Sequence, residues 1–417
     1  MSKKKVIVIG CGAAGMMAGI AAARNGASVT IVEKNEKPGK KIFISGKGRC
    51  NVTNACNTHE FFDFIVRNGK FLYSAVYNFS NFQVQDFFND RGCPLKVERG
   101  ERVFPVSDRS SDIIKTLVKE LKDLNVEILY NTPVKDVLAQ DNKVYGVKIS
   151  ENGILSFDSV IVATGGLSYP STGSTGDGYL FAKSLGHKIQ KCAPSLVPLV
   201  TKEEWCKKLQ GLSLKNVRLY NKKTKGIPHF DKFGEMLFTH FGVSGPLVLS
   251  ASTIYEKGSE WKLFIDLKPA LSIEQLEARI GRDLYERKDK IFRNSLDGLF
   301  PRSLIPVMVE FAESEMIGID KNTKSSGVNP RHIRSFAELC KALPITIISA
   351  RGYNEAIITR GGVDVKEINP STMESKLCSG LYFAGEVLDV DAYTGGFNLQ
   401  IAWSTGSLAG ESAASGE

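Results

Sequence analysis

The first 33 residues alternate apolar runs with glycines in an order that severely restricts the possible fold. Residues 6–9 are β-branched and predict a buried strand, which a glycine-rich turn at 10–15 follows at once. Residues 16–25 are rich in alanine and predict a helix, and residues 28–33 predict a second strand. A complete strand, turn, helix and strand of this kind predicts an α/β, Rossmann-like fold that binds a dinucleotide.

The three glycines of the turn each have a physical task. Gly10 lets the chain leave the strand sharply, Gly12 lets the backbone approach a pyrophosphate, and Gly15 lets the helix pack closely on the strand. Ala13 and Ala14 lie near the start of the helix, where free N–H groups and a partial positive charge attract phosphate. We therefore expect this turn to hold the phosphates of a dinucleotide.

Glu33 closes the second strand, 21 residues after Gly12. A carboxylate at this place can accept hydrogen bonds from ribose hydroxyls and would repel a 2′-phosphate, so NADP is disfavoured at this site. The unit alone is compatible with FAD or NAD, and the choice between them depends on the rest of the chain.

Two further segments favour FAD. Residues 45–51 hold two glycines, a lysine and an arginine, which suits close approach to an anion, although a basic surface loop is an alternative. Residues 158–166 predict another buried strand that ends in a glycine pair. A strand of this kind is typical of flavoproteins whose chain returns to the FAD sheet.

The C-terminal region adds a third indication of a flavin. Residues 380–386 predict a strand followed by Gly385 and Glu386, an acid that in flavoproteins commonly meets the ribityl chain. Residues 394–400 open a last helix, predicted over 401–410, whose N-terminus would stabilise negative charge on a reduced flavin. A plain final strand and helix is the alternative.

Four blocks of the sequence resemble signatures of the BaiN/YhiN-type NAD(P)/FAD-dependent oxidoreductases: residues 45–51, 168–178, 237–246 and 381–400. The resemblance runs from residue 6 to about residue 410. It implies an FAD-binding domain that is split by an inserted β-rich part and a small helical part. It leaves the substrate open, because members have been described as ene-reductases of unsaturated oxo-steroids, as amine oxidases, or as flavoproteins of unknown role.

The spacing of these segments predicts the domain organisation. Residues 1–190 and 350–417 form the FAD-binding domain, 191–270 a β-rich substrate domain and 271–349 a helical domain with helices over 272–288, 303–317 and 330–342. The insertion carries no second strand, glycine turn and helix of the dinucleotide type. We therefore expect NAD(P)H, if it is the donor, to bind transiently over the flavin.

The residues expected to bind a non-covalent FAD come from all of these segments. They are Gly10, Gly12, Ala13, Ala14, Gly15, Glu33, Lys34, Lys41, Ser45, Gly46, Arg49, Cys50, Asn51, Val134, Thr164, Gly165, Gly385, Glu386, Asn398 and Leu399.

The predicted function is hydride transfer between the flavin and a small organic substrate, either reduction of a C=C bond in an unsaturated ketone or oxidation of a small amine. One alternative is a dithiol–disulfide reductase that uses Cys50 and Cys56, although their C-x5-C spacing and the missing nicotinamide domain argue against it. Another is a non-catalytic flavin-bound regulator or RNA-interaction protein, which the basic composition permits.

Three residues are candidates for catalysis. His240 lies in a glycine-flanked segment of the insertion and could transfer a proton on the flavin side, although a structural histidine is an alternative. Arg360 follows a strand predicted at 356–359 and could hold a substrate carboxylate or carbonyl oxygen, or a surface acid. Tyr393 precedes the last glycine turn and could cover the flavin or pack in the core.

Composition restricts the remaining classes of function. Lysines and arginines number 54 against 45 acids, but acids interrupt most basic runs, so we expect no nucleic-acid partner. None of the eight cysteines forms a C-x-x-C pair, so we expect no zinc site, and the cysteines fit the reducing cytoplasm.

The lysines before the apolar run 6–23 resemble the start of a signal peptide. Cleavage after this run would remove the dinucleotide motif, so we expect no secretion and no membrane partner. The oligomeric state stays open.

Overall fold

The computed structural model describes residues 3–149, 153–225, 228–256, 258, 260–314 and 317–415. The chain divides into two compact units, Met1–Ser195 with Gly352–Glu417, and Leu196–Arg351. The outer boundaries predicted at 190 and 350 lie within a few residues of these bounds. The structure does not separate the expected helical part of the insertion from its β-rich part.

The described strands, in chain order, are β1 (Lys5–Ile9), β2 (Ser28–Val32), β3 (Thr53–Asn54), β4 (Ile65–Arg67), β5 (Leu95–Glu98), β6 (Arg102–Pro105), β7 (Glu127–Leu129), β8 (Asp136–Gln140), β9 (Lys143–Lys148), β10 (Ile154–Ser156), β11 (Ser159–Val162), β12 (Ile189–Ser195), β13 (Leu199–Thr201), β14 (Ser213–Tyr220), β15 (Asp231–Thr239), β16 (Gly242–Ser244), β17 (Trp261–Asp266), β18 (Leu343–Ala350), β19 (Ile358–Val363), β20 (Leu381–Phe383) and β21 (Asp391–Ala392).

The described α-helices are α1 (Ala13–Arg24), α2 (Lys40–Ile44), α3 (Tyr73–Asn78), α4 (Asn81–Asn89), α5 (Ser110–Asp123), α6 (Asp177–Ser184), α7 (Glu204–Lys208), α8 (Pro246–Ser252), α9 (Ile273–Glu286), α10 (Ile305–Ala312), α11 (Pro330–Lys341) and α12 (Phe397–Ser415). Within the described ranges, every helix is too short or too polar to span a lipid bilayer.

A five-stranded parallel sheet forms the centre of the first unit. Its strand order is β20-β11-β1-β2-β7, and each neighbouring pair runs parallel. The strands β1, β11 and β20 are almost fully buried, as expected for a sheet covered on both faces. This architecture confirms the predicted α/β, Rossmann-like fold, and it places the carboxyl ends of β1, β2, β11 and β20 along one edge of the sheet.

The turn between β1 and α1 has the geometry that its glycines predict. Gly10 has a φ of +104°, and its N–H donates to the carbonyl of Val32 at 2.8 Å. A Cβ on Gly15 would lie 1.8 Å from the carbonyl oxygen of Gly10, so only glycine lets α1 pack this closely on the turn.

A closed barrel forms the centre of the second unit. Its six strands follow the order β13-β16-β15-β14-β17-β18, and α9 and α11 share its apolar core. The last barrel strand, β18 (Leu343–Ala350), overlaps the end of the segment 271–349 that was predicted to be a helical domain. The barrel therefore contains strands from both sides of the division predicted at residue 270, because its closure needs a strand that follows the helices in the sequence.

Strand β19 differs from its prediction. The strand expected at 356–359 spans Ile358–Val363, so Arg360 lies inside the strand and not after it. Gly361 and Gly362 continue the strand with φ values of +82° and +142°, and Cβ atoms there would lie 2.4 Å from the carbonyl oxygen of Lys191 and 2.5 Å from that of Val387. Close contact with neighbouring backbone therefore explains these glycines.

Candidate nucleotide-binding site

The carboxyl ends of β1, β2, β11 and β20 open onto a cavity of about 560 Å³ in the first unit. The start of α1, helix α2 and the start of α12 supply further walls. A cavity at this edge of a parallel sheet is the usual ligand position in open α/β folds.

Sixteen of the twenty residues expected to bind FAD line this cavity. They are Gly10, Gly12, Ala13, Ala14, Glu33, Lys34, Lys41, Ser45, Gly46, Val134, Thr164, Gly165, Gly385, Glu386, Asn398 and Leu399. Their contact with a cofactor stays a prediction, but the structure brings residues from widely separated parts of the chain to one cavity.

Arg49 does not line the cavity. Its guanidinium pairs with Glu98 and Asp108 and lies 4.2 Å from the centre of the Phe104 ring. Two carboxylates therefore already neutralise the charge that was expected to attract a phosphate. The neighbouring Ser45 and Gly46 do line the cavity, so the two ends of segment 45–51 face different surroundings.

Gly15, Cys50 and Asn51 also lie away from the cavity lining. Gly15 serves the packing of α1, and Cys50 is fully buried. The Asn51 amide, oriented to satisfy both of its ends, donates to the Thr53 and Val103 carbonyls and accepts from the Gly396 N–H at 3.0 Å. It therefore ties segment 45–51 to the turn before α12.

The start of α1 suits a phosphate group. Gly12 is the N-cap and offers no side-chain acceptor to the N–H groups of the first turn, which also carries no acid. A Cβ on Gly12 would have nothing within 4 Å, so the backbone is open at this point. The N-terminal N–H groups can therefore bind an anion that enters the cavity.

Glu33, the residue expected to bind a ribose, is held at the cavity by three hydrogen bonds. Its carboxylate accepts from the N–H of Cys11 at 2.8 Å and from the N–H and side-chain amide of Asn35 at 2.8 and 2.6 Å. The side chain is only 8% exposed yet lines the cavity. These bonds occupy three of the roughly four lone-pair sites of the carboxylate, so Glu33 can still accept from a ribose hydroxyl through Oε2 while its orientation stays fixed.

Glu386 is held by a second network. Its Oε1 accepts from the Ser168 hydroxyl at 2.7 Å and from the Thr359 N–H at 2.8 Å, and its Oε2 pairs with Lys41 at 2.5 Å. Lys41 also donates to the Ser168 hydroxyl at 2.6 Å. The acid and the lysine expected at the cofactor therefore form one fixed ion pair at the cavity.

Thr164 provides an independent test of whether a ligand fits. It lines the cavity, and its buried hydroxyl has no hydrogen-bond partner within the described part of the chain. Buried polar atoms normally have a partner, so a polar group of a bound nucleotide would account for this one.

Several residues of the site escaped sequence reasoning. Asn35 orients Glu33, and Thr359 donates to Glu386 through its N–H. Ser168 and Tyr169 lie in one of the family-like blocks, which could have indicated them, and Tyr169 lines the cavity. No sequence signal indicated Thr359, because its partner is 27 residues away on another element.

Neither Arg360 nor Tyr393 lines the cavity in the described part of the chain. Both are half-buried, and the Tyr393 N–H donates to the Phe64 carbonyl at 2.9 Å. Burial raises the pKa of the Tyr393 hydroxyl, and the neighbouring Asp391 carboxylate raises it further. Their catalytic roles stay predictions.

His240 belongs to the second unit, in the two-residue turn between β15 and β16. Its ring is exposed and lies edge-on to Phe241, with 4.9 Å between ring centres. Gly242 and Gly245 were expected to let backbone approach a flat ligand. Their Cβ positions instead lie 2.5 Å from the Leu199 carbonyl oxygen and 3.0 Å from the Leu237 nitrogen, so these glycines serve the barrel itself.

The surroundings of Cys50 and Cys56 do not favour thiol chemistry. Both are free and buried, and burial raises the pKa of the Cys50 thiol to about 12 and that of Cys56 to about 11. The thiolate is the reactive form in disulfide exchange, so such thiols attack a disulfide slowly at neutral pH.

We expect Cys50→Ser, Cys56→Ser and the double variant to keep turnover within a few-fold of the parent. An obligatory disulfide would instead lose almost all activity, because it would carry the electrons. Steady-state rates per bound flavin and melting temperatures should be measured together. Inactive, folded serine variants combined with a thiol count that rises on mild reduction would restore the disulfide-reductase hypothesis.

Residues 4–412 match the family model described as HI0933-like protein Rossmann domain. The chain belongs to this family. The match confirms the predicted relationship to BaiN/YhiN-type proteins, and the chain is a flavoprotein oxidoreductase with a Rossmann nucleotide-binding fold.

Curated relatives cover nearly the whole chain. A 3-dehydro-bile acid delta(4,6)-reductase from Clostridium scindens is 33% identical over 98% of this chain and 99% of the relative. Two ribosomal RNA dihydrouridine synthases are also similar. The one from Haemophilus influenzae is 31% identical over 96% of both chains, and the one from Escherichia coli is 29% identical over 97% of this chain and 96% of the relative.

Proposed function

We propose that this flavoprotein binds FAD non-covalently and reduces a C=C bond conjugated to a carbonyl group in a small organic substrate. The observation that carries the proposal is the full-length similarity to a bile acid reductase, joined to a cavity that gathers the residues expected to bind FAD. The similarity favours C=C reduction over oxidation of an amine.

The cavity residues have distinct tasks in this proposal. The first N–H groups of α1 hold the pyrophosphate, and Glu33 accepts from the hydroxyls of the adenosine ribose. Glu386, fixed by Lys41 and Ser168, accepts from a ribityl hydroxyl. The start of α12, whose Asn398 and Leu399 line the cavity, would stabilise negative charge on the flavin.

A bound, reduced flavin supplies a hydride to the β-carbon of the conjugated bond. The chain must then provide a proton to the α-carbon and hold the carbonyl oxygen while charge develops on it. We assign the proton to His240 and the oxygen to Arg360. NAD(P)H would serve as a transient donor, since the sequence of the insertion has no second dinucleotide motif that could hold it permanently.

A uracil base in RNA is a second candidate substrate. The names of two relatives favour it, since a dihydrouridine synthase reduces the C5=C6 bond of uracil. That bond is conjugated to the C4 carbonyl, so the same hydride and proton transfers would serve both substrates.

The direct test is an anaerobic reoxidation experiment. Acid precipitation of the protein should release FAD, and NADH or NADPH should bleach the bound flavin. Mixing with a steroid 4-en-3-one should restore the flavin colour and give a product with two additional hydrogen atoms by mass spectrometry. FMN in the extract would contradict the proposed cofactor. Reduction of the oxidised flavin by small amines, with no reoxidation by the enone or by uridine-containing RNA, would contradict C=C reduction.

A further inference from the structure

One hairpin of the barrel carries an unusual concentration of positive charge. Residues 213–234, which contain β14 and the start of β15, include six lysines and arginines and a single acid, Asp231. The chain as a whole carries 54 basic and 45 acidic residues. The basic residues of this chain are therefore concentrated in this segment more than in the chain as a whole.

The strand pairing places aromatic rings beside these charges. Tyr220 of β14 lies opposite Phe264 of β17, and their ring centres are 5.6 Å apart. Arg218 lies opposite Phe233 of β15, which is 62% exposed. Because residues directly opposite each other in antiparallel strands share one face, these rings lie on the outer surface of the barrel.

Cations cover the aromatic pair. The Lys222 ammonium lies 5.3 Å from the Phe264 ring centre, and the Arg218 guanidinium lies 4.8 Å from that of Tyr220. Arg218 is already paired with Asp231 through two hydrogen bonds of 2.6 Å.

Four lysines near these rings differ from Arg218 in having no carboxylate partner in the described part of the chain. Within the described ranges, no carboxylate lies within 4.0 Å of Lys222, Lys223, Lys225 or Lys262, and all four are exposed. We define the barrel face as these four lysines with Tyr220, Phe233 and Phe264. It combines cations that have no described carboxylate within 4.0 Å with one exposed ring, Phe233, and a half-buried aromatic pair.

We propose that the barrel face binds single-stranded RNA. Phosphates would pair with the lysines, and an unpaired base would stack on the exposed Phe233 ring, which a duplex cannot offer because its bases are already stacked. A strand-rich face with aromatic rings and surrounding cations is a recurrent arrangement for single strands. The inference goes beyond the proposed reduction and is tested without turnover.

The test uses the full-length flavoprotein and a fluorescein-labelled oligouridine of about 12 nucleotides, within the usual range of such sites. Fluorescence anisotropy gives the affinity at several NaCl concentrations. The triple variant Lys222→Glu, Lys223→Glu, Lys225→Glu should bind at least about tenfold more weakly, and its salt slope should fall by about two. Its flavin content and melting temperature should match those of the parent.

A matched control distinguishes the effect of the barrel face on RNA affinity from the effect of the net charge of the protein. The triple variant Lys115→Glu, Lys119→Glu, Lys122→Glu makes the same charge change on α5 and should reduce affinity by less than about threefold. Phe233→Ala should weaken binding severalfold even at high salt, where phosphate contacts are screened and stacking remains.

Three outcomes would overturn the inference. The first is an equal loss of affinity in the two triple variants. The second is that the parent does not bind oligouridine at about 100 mM salt. The third is that the parent binds phosphatidylserine vesicles but not oligouridine, and that the Lys222→Glu, Lys223→Glu, Lys225→Glu variant loses this vesicle binding. Because affinity is measured without reduction, failure of the proposed C=C reduction would leave a positive RNA result intact, and the reverse also holds.

Discussion

Replacing Glu33 with alanine should lower the affinity for FAD by about ten- to a hundredfold. A charged acceptor for ribose hydroxyls contributes roughly 1.5–3 kcal/mol, which corresponds to that loss. The carboxylate also accepts from the N–H groups of Cys11 and Asn35, so alanine leaves two backbone donors without their partner. We therefore expect a lower melting temperature as well, and Glu33→Gln should recover part of the stability because it keeps one acceptor oxygen.

Glu36→Ala is the matched control for this experiment. Glu36 lies three residues further on, is exposed, pairs with Lys40 at 2.8 Å and does not line the cavity. Its replacement should leave flavin content unchanged. Retention of all flavin by Glu33→Ala after extensive dialysis would contradict the ribose role, whatever the change in melting temperature.

The nucleotide unit could be predicted from sequence because its determinants are local. Gly10, Gly12, Gly15 and Glu33 lie within one strand, turn, helix and strand, so their spacing alone predicts their tasks. The geometry of Gly10 and Gly15 agrees with the expectation in detail. The later segments were also located correctly at strand ends, since a parallel sheet brings the carboxyl ends of its strands to one edge.

Residues whose role depends on distant partners could not be predicted. Arg49 was expected at the cofactor, but Glu98 and Asp108, which lie 49 and 59 residues further on, engage its charge. Nothing in the local pattern separates an arginine that meets a phosphate from one that meets two carboxylates.

The barrel escaped prediction for a different reason. Strands β13 and β16 have only three residues each, which is too short for an alternating pattern to be recognised. The glycines at 242 and 245 were interpreted as ligand contacts because a glycine needed for close strand packing has the same sequence signature. The aromatic neighbour Phe264 of the charged β14–β15 hairpin likewise becomes evident only when pairing brings β17 beside it.

His240→Ala should lower turnover by about a hundredfold or more while flavin content and melting temperature stay at the parent values. General acid–base catalysis contributes a factor of this size, and imidazole can exchange a proton near neutral pH. In the described part of the chain, no hydrogen bond holds the His240 ring, and the ring is exposed. The His240 side chain therefore contributes little to the stability of the fold. The rate per bound flavin is the quantity that distinguishes a catalytic role from a structural one.

The matched control is His229→Ala, which removes another exposed histidine of the same unit. It should leave the rate per flavin unchanged. Equal rates per flavin in the parent and His240→Ala would end the catalytic hypothesis, and the search for the proton donor would then move to the tyrosine that lines the cavity, Tyr169.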